Sequence, residues 1–229
     1  MTFISRRDLL KRAAAVGGVA IVPAGVVPRG DAAQAPAVVR AAVPREPLEN
    51  LTAAEADILE AFVARLIPTD ANGPGATEAR AAHYIDRALG GALSPSRQAY
   101  TSGLAALDRY ARRSRGKAFT ELSASEQDAL LTEVEGGTAT GFTGSSAAFF
   151  SLVLNHTLQS TFGDPYYGGN AGFVGWDLVG YPGVRTIVTP DEQRLGADVT
   201  RNHKGAYDYE MFTKASARAA SDRDPNHGD

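Results

Sequence analysis

Cysteine is absent from all 229 residues, which excludes disulfides, iron–sulfur clusters, covalently attached haem and thiolate zinc sites. Cohesion therefore rests on packing. Histidine is scarce: His83, His156, His203 and His227 include no pair at i, i+4 and no His-x-x-Glu-His grouping, so metal catalysis has little to build on. A Gly-x-Ser-x-Gly elbow, a Walker loop and a dinucleotide Gly-x-Gly-x-x-Gly are all missing, so the chain offers no flavin, nicotinamide or nucleotide cradle of its own. A basic stripe is lacking too. The net charge is -3, and nucleic-acid binding is not expected of such a balance. Long apolar runs are also absent. The most nearly apolar stretch, Ala13 to Val27, is interrupted by Gly17, Gly18, Pro23 and Gly25 and falls short of the roughly 20 residues of a spanning helix.

What precedes that stretch gives it meaning. Arg6 and Arg7 stand together, followed by Leu9, Leu10 and Lys11, so a charged segment leads into an uncharged, weakly apolar one. That order reads as a twin-arginine export signal over residues 1–35, and the expected location is periplasmic. Ala33-Gln34-Ala35 has the form of a cleavage site, with Ala41-Ala42 as an alternative. The mature start falls between Asp31 and Val43, and an uncleaved signal serving as an anchor is the other option. Residues 1–35 hold five basic and two acidic side chains, so their removal moves the net charge from -3 to -6.

Residues 36–50, with Pro36, Pro44 and Pro47, read as a linker. A helical domain is expected over 51–162. Thr52 and Glu55 form a capping box ahead of Ile58, Leu59, Phe62, Val63, Leu66 and Ile67 at helical spacing, up to Pro68. Tyr84, Ile85, Ala88 and Leu89 share a face before Gly90-Gly91. Ser94-Pro95 offers a cap and first-turn proline for a third helix, which carries Tyr100, Leu104, Leu107 and Tyr110 and ends among Arg112, Arg113, Arg115 and Lys117. Ser123 and Glu126 make a second capping box, and Ser145 or Ser146 opens a helix apolar over most of its circumference, which is expected at the centre. The fold class is all-α, a bundle of about five helices.

From Gly163 the pattern changes. Seven glycines fall in twenty-one residues between Gly163 and Gly183, and that density excludes a regular helix. The interleaved Tyr166, Tyr167, Phe173, Trp176 and Tyr181 exclude disorder. Residues 163–215 are read as an ordered glycine/aromatic-rich loop and C-terminal segment packed on the helices, and 216–229 as a polar tail. Of the titratable groups, His83 reads as solvated or ion-paired on a helix surface and His156 as a hydrogen-bonded core histidine. Asp164 and Asp177 read as backbone-bonding carboxylates. An acid–base site around His156, Asp164 and Tyr166 is the competing reading.

The start Thr52-Ala53-Ala54-Glu55, the end Leu66-Ile67-Pro68-Thr69-Asp70, and the turn Phe119-Thr120-Glu121-Leu122-Ser123 carry a resemblance. Its most specific part is Asp164-Pro165-Tyr166-Tyr167-Gly168-Gly169-Asn170 with Gly175-Trp176 and Gly180-Tyr181-Pro182-Gly183. These residues resemble the gluconate 2-dehydrogenase subunit 3 family over most of 51–184. The resemblance implies a non-catalytic small subunit. Its partner would be a flavoprotein dehydrogenase large subunit holding FAD, acting on a sugar, sugar acid or alcohol, with a cytochrome c subunit carrying haem c as a third member. It further implies that the twin-arginine signal serves a partner lacking one at the translocon. The residue types of Asp164, Pro165, Tyr166, Tyr167, Gly168, Gly169, Asn170, Trp176, Tyr181 and Pro182 suit a partner-binding surface.

Overall fold

Thr52 closes the first turn of the bundle: its hydroxyl and the Glu55 carboxylate exchange hydrogen bonds with each other's backbone N–H. The computed structural model describes residues 48–213, and among them the fold is all-α, with one isolated bridge pair, Asp70 and Gly73, in place of any strand. Helix α1, Ala53–Leu66, buries Ile58, Leu59, Phe62 and Val63. Pro68 stops it, because the residue before a proline is pushed out of the helical region; Ile67 sits at φ -132°, ψ 85°. Helix α2, Ala81–Ala88, follows.

Helix α3, Arg97–Arg115, ends at Gly116 with φ 75°, the left-handed C-terminal stop that glycine favours. Its start differs from expectation. Ser94 does not cap it; Ser94–Ser96 form a separate 3₁₀ turn with Pro95 in its first positions, and the side chain of Ser96, the N-cap residue of α3, makes no capping hydrogen bond. Helix α4, Ala124–Glu135, carries the Ser123/Glu126 capping box, and α5, Ser146–Phe162, is capped by Ser145.

Helix α5 touches α1, α2, α3 and α4, the central position that its near-continuous apolar surface requires. Phe62 lies at the middle of the core, with the rings of Phe119, Phe149 and Phe150 at 6.4, 6.1 and 5.7 Å. Phe149 also lies directly over Gly103, where a Cβ would penetrate the ring. The α3–α5 contact thus depends on a missing side chain.

Polar ties fix the helix ends. Arg65 and Asp128 pair bidentately at 2.7 and 2.8 Å, binding α1 to α4. Glu133 accepts from Tyr110 and Arg115, both at 2.5 Å, binding α4 to α3. The basic end of α3 is therefore partly spent on internal pairing.

A further tie was not anticipated. Asp86 on α2 is fully buried, and its carboxylate accepts the backbone N–H groups of Glu49, Asn50 and Leu51 at 2.7, 3.0 and 2.7 Å. The Asn50 amide returns a bond to the Asp86 carbonyl at 2.7 Å. A buried carboxylate is tolerated only when so satisfied, and here it clamps the chain's entry onto α2.

Residues 163–183 depart from expectation in one respect: Val174–Val179 form a short helix, α6. Six residues suffice because it is stopped by a left-handed glycine, Gly180 at φ 70°, and anchored on α5 through Gly175 and Trp176. Gly168 takes the positive φ foreseen for this stretch, but Asn170 and Phe173 take it as well, at 46° and 63°.

Candidate functional site

The segment after α5 has two faces, and the residues of the aspartate–tyrosine–glycine block divide between them. On the inner face, backbone meets backbone. Gly169 packs on the Ser160 carbonyl and Gly175 on the Thr161 carbonyl, each so closely that a Cβ would overlap the oxygen. Asn170, fully buried, donates from Nδ2 to the Gly163 carbonyl at 2.9 Å and accepts from the Gly175 N–H at 2.8 Å. Those two bonds hold its own left-handed backbone and close the loop between them. The Trp176 indole donates to the Phe162 carbonyl at 2.9 Å, satisfying an end group of α5. Its ring packs against Phe173 and, edge-on at 4.8 Å, against Tyr181.

The outer face is aromatic. Tyr166 is 65 % exposed and Tyr167 58 %, yet neither is loose. Pro165 and Gly168 bracket them in a 3₁₀ turn capped by Asp164, whose Oδ1 accepts the Tyr166 N–H at 3.0 Å. The Tyr166 ring stacks on Tyr207 at 3.9 Å and meets Tyr167 edge-on at 5.3 Å. Tyr167 and Tyr207 share a hydroxyl hydrogen bond at 3.3 Å, which raises the Tyr207 phenol above its ordinary value. Asp164 Oδ2 accepts the Ala206 N–H at 2.7 Å, bringing Tyr207 into place. An open cleft of about 490 Å³ lies beside this cluster, lined by Asp164, Tyr166, Phe173, Tyr207 and Asp208 among others.

Pro182 accepts the Asn202 N–H at 3.0 Å, and the Val184 N–H donates to the Lys204 carbonyl at 2.9 Å. Asp177 belongs to the same margin. It accepts from Arg201 at 3.0 Å and pairs with His203 Nε2 at 2.8 Å, and the His203 bond first, then Arg201, hold its carboxyl below the usual range. The expectation that Asp177 bonds backbone is thus replaced by a side-chain pairing, while for Asp164 the backbone role holds.

The residues of the competing acid–base reading are not brought to one point. His156 is buried in the core, its Nδ1 3.0 Å from the Tyr100 hydroxyl and its ring stacked on Tyr100 at 5.8 Å. Burial pushes the Tyr100 phenol upward and the His156 imidazole downward. The two groups thus share one buried hydrogen bond, which occupies His156 Nδ1. Asp164 lies past the end of α5, whose last residue, Phe162, is already roughly 9 Å along the helix from His156, and its oxygens are engaged by backbone. Tyr166 faces outward. His83 is half-buried on α2.

Sequence reading missed Tyr207, Arg201, His203 and Asn202, all placed by long-range bonds; the only local sign was that aromatics continue past Gly183 as Tyr207, Tyr209 and Phe212. Arg6, Arg7, Leu9, Leu10 and Lys11 lie outside the described residues. Among those described, no helix is long and apolar enough to cross a membrane.

No curated protein and no solved structure gives a significant match to the chain. The model of one family, gluconate 2-dehydrogenase subunit 3, matches residues 53–183, a span that runs from the start of α1 through the glycine-rich block and takes in more than half of the sequence. The chain belongs to the gluconate 2-dehydrogenase subunit 3 family.

Proposed function

We propose that this chain is the non-catalytic small subunit of a periplasmic or membrane-associated sugar, sugar-acid or alcohol dehydrogenase. It binds the FAD-containing catalytic subunit, accompanies it through the twin-arginine translocon and stabilises it, with a haem c-carrying cytochrome as a further member of the complex. Family membership supports a place in a multi-subunit dehydrogenase. One observation carries the docking role: among the described residues, every exposed large apolar side chain except Leu48 lies between Tyr166 and Phe212. Apolar exposure gathered on one segment marks an interaction surface rather than ordinary scatter, and tyrosine is a residue type enriched at interface centres.

The outer face suits this role physically. Tyr166, Tyr167 and Tyr207 are held in fixed geometry by Asp164, Gly168 and one another, so little side-chain entropy remains to be lost on docking. The inner face fixes that platform to α5. The alternative, a free-standing enzyme using His156, Asp164 and Tyr166, draws no support from geometry, since each of the three is engaged elsewhere.

The test is co-expression with the flavoprotein dehydrogenase encoded alongside the chain, with and without it. The proposal expects export and full flavoprotein activity only when both are present. A flavoprotein exported and fully active alone would defeat it.

A further inference from the structure

The family match ends at Gly183, and the next residues build a separate feature. Residues 182–184 and 202–204 run side by side: the Val184 N–H donates to the Lys204 carbonyl and the Asn202 N–H to the Pro182 carbonyl. Asn202 Nδ2 and the Tyr209 hydroxyl both bond the Val184 carbonyl, at 2.9 and 2.6 Å. Gly183 is required at this neck, because a Cβ there would strike the Asn202 amide oxygen. The chain between, 185–201, leaves and returns through a pinned base.

The loop is also braced inside. Arg185 pairs with Glu192 at 3.0 Å and bonds the Thr200 carbonyl. Thr189, ahead of Pro190, exchanges hydrogen bonds with Glu192 in a one-turn capping box. The braced loop shows apolar side chains to solvent: Ile187 is 81 % exposed, Val188 45 % and Leu195 fully. Three exposed apolar side chains on one braced loop are the kind of grouping that marks an interaction site.

Its charge selects the kind of partner. Residues 185–201 contain three arginines and three carboxylates and no lysine. Each arginine is paired, Arg185 with Glu192, Arg194 with Asp191 and Arg201 with Asp177. A segment made for an anionic lipid surface would carry surplus cations; this one carries none. A neutral, internally braced loop with exposed apolar side chains fits a dry concave pocket on a protein.

We infer that the 185–201 loop is a docking finger whose Ile187, Val188 and Leu195 insert into a pocket of the catalytic flavoprotein subunit. The inference rests on the proposed function.

The test uses the complex of the full chain with the flavoprotein encoded alongside it. The double variant Ile187→Ser, Leu195→Ser keeps the wild-type melting temperature, since these side chains lie in water, and the triple variant that adds Val188→Ser binds the flavoprotein about 100-fold more weakly. A photo-crosslinking residue at position 195 joins the chain to the flavoprotein. Wild-type affinity of the triple variant with no crosslink overturns the finger, and weakened binding by Tyr166→Ser, Tyr167→Ser in the same assay would show that the docking role itself survives. If the wild-type chain does not bind the flavoprotein at all, both fall. Sedimentation of the wild type, but not the triple variant, with phosphatidylcholine vesicles, with flavoprotein binding unchanged, assigns the loop to lipid and also overturns the finger.

Discussion

Replacing Asp86 by alanine removes the acceptor for three backbone N–H groups at once. Their losses are unequal. The Leu51 N–H is buried, so without its 2.7 Å bond it stays unsatisfied, at about 1–3 kcal/mol. The Glu49 and Asn50 N–H groups sit in partly exposed positions, where water replaces the carboxylate and the cost of each is nearer ~0.5 kcal/mol. The sum, about 2–4 kcal/mol, is a large part of the ~5–15 kcal/mol that holds a domain folded. Asparagine refines the test. Its amide oxygen can take the Oδ1 position that serves both Asn50 and Leu51, leaving its NH₂ group against the Glu49 N–H at the wetter side, so Asp86→Asn costs about 1 kcal/mol. Urea unfolding followed by far-UV circular dichroism on the exported chain reads both, as shifts in midpoint at constant slope. An alanine variant within ~0.5 kcal/mol of wild type, or an asparagine variant as costly as alanine, refutes the clamp.

Other expectations follow from the core and the inner face. Gly175→Ala drives a methyl into the Thr161 carbonyl, and the overpacking costs about 1–3 kcal/mol, checked by thermal melting; Gly172→Ala, where nothing lies nearby, carries only the penalty of its left-handed backbone. Burial depresses the His156 pKa from its ordinary 6.5, so the unfolded chain binds this proton more readily than the folded one. Its contribution is full above about pH 6.5 and is lost as pH falls from there toward the depressed folded value, and His156→Gln flattens the stability slope below pH 6.5. Glu133 is held below its ordinary value by its bonds from Tyr110 and then Arg115, so its stabilisation is present above ~4.5 and fades as pH falls through the folded pKa; Tyr110→Phe reduces the acid sensitivity in that window.

The bundle was legible because its signals are local. Thr52/Glu55 and Ser123/Glu126 lie three residues apart, the apolar residues of α1 recur at helical spacing, and Pro68 acts on its own neighbour, whereas the Gly116 stop of α3 was not read. The glycine-rich segment was legible only as ordered. Helix α6 hid among glycines, its stability coming from the Trp176–Phe162 bond and the Gly175–Thr161 contact, neither of which has a local pattern. The tyrosine platform was two-thirds visible: Tyr166 and Tyr167 stand in the block that identifies the family, but Tyr207 arrives through Asp164 and Ala206, 42 residues apart. Asp86 gave no sign, because one carboxylate in an amphipathic helix ordinarily faces water, and only the folding-back of residues 49–51 makes it a clamp.

The proposed role makes Arg6 and Arg7 the export address for two proteins. Changing both to lysine, and locating the flavoprotein by fractionation and immunoblot, tests this most directly. The expected result is that the flavoprotein, its own sequence untouched, stays in the cytoplasm with this chain. A flavoprotein found in the periplasm at wild-type levels would contradict it.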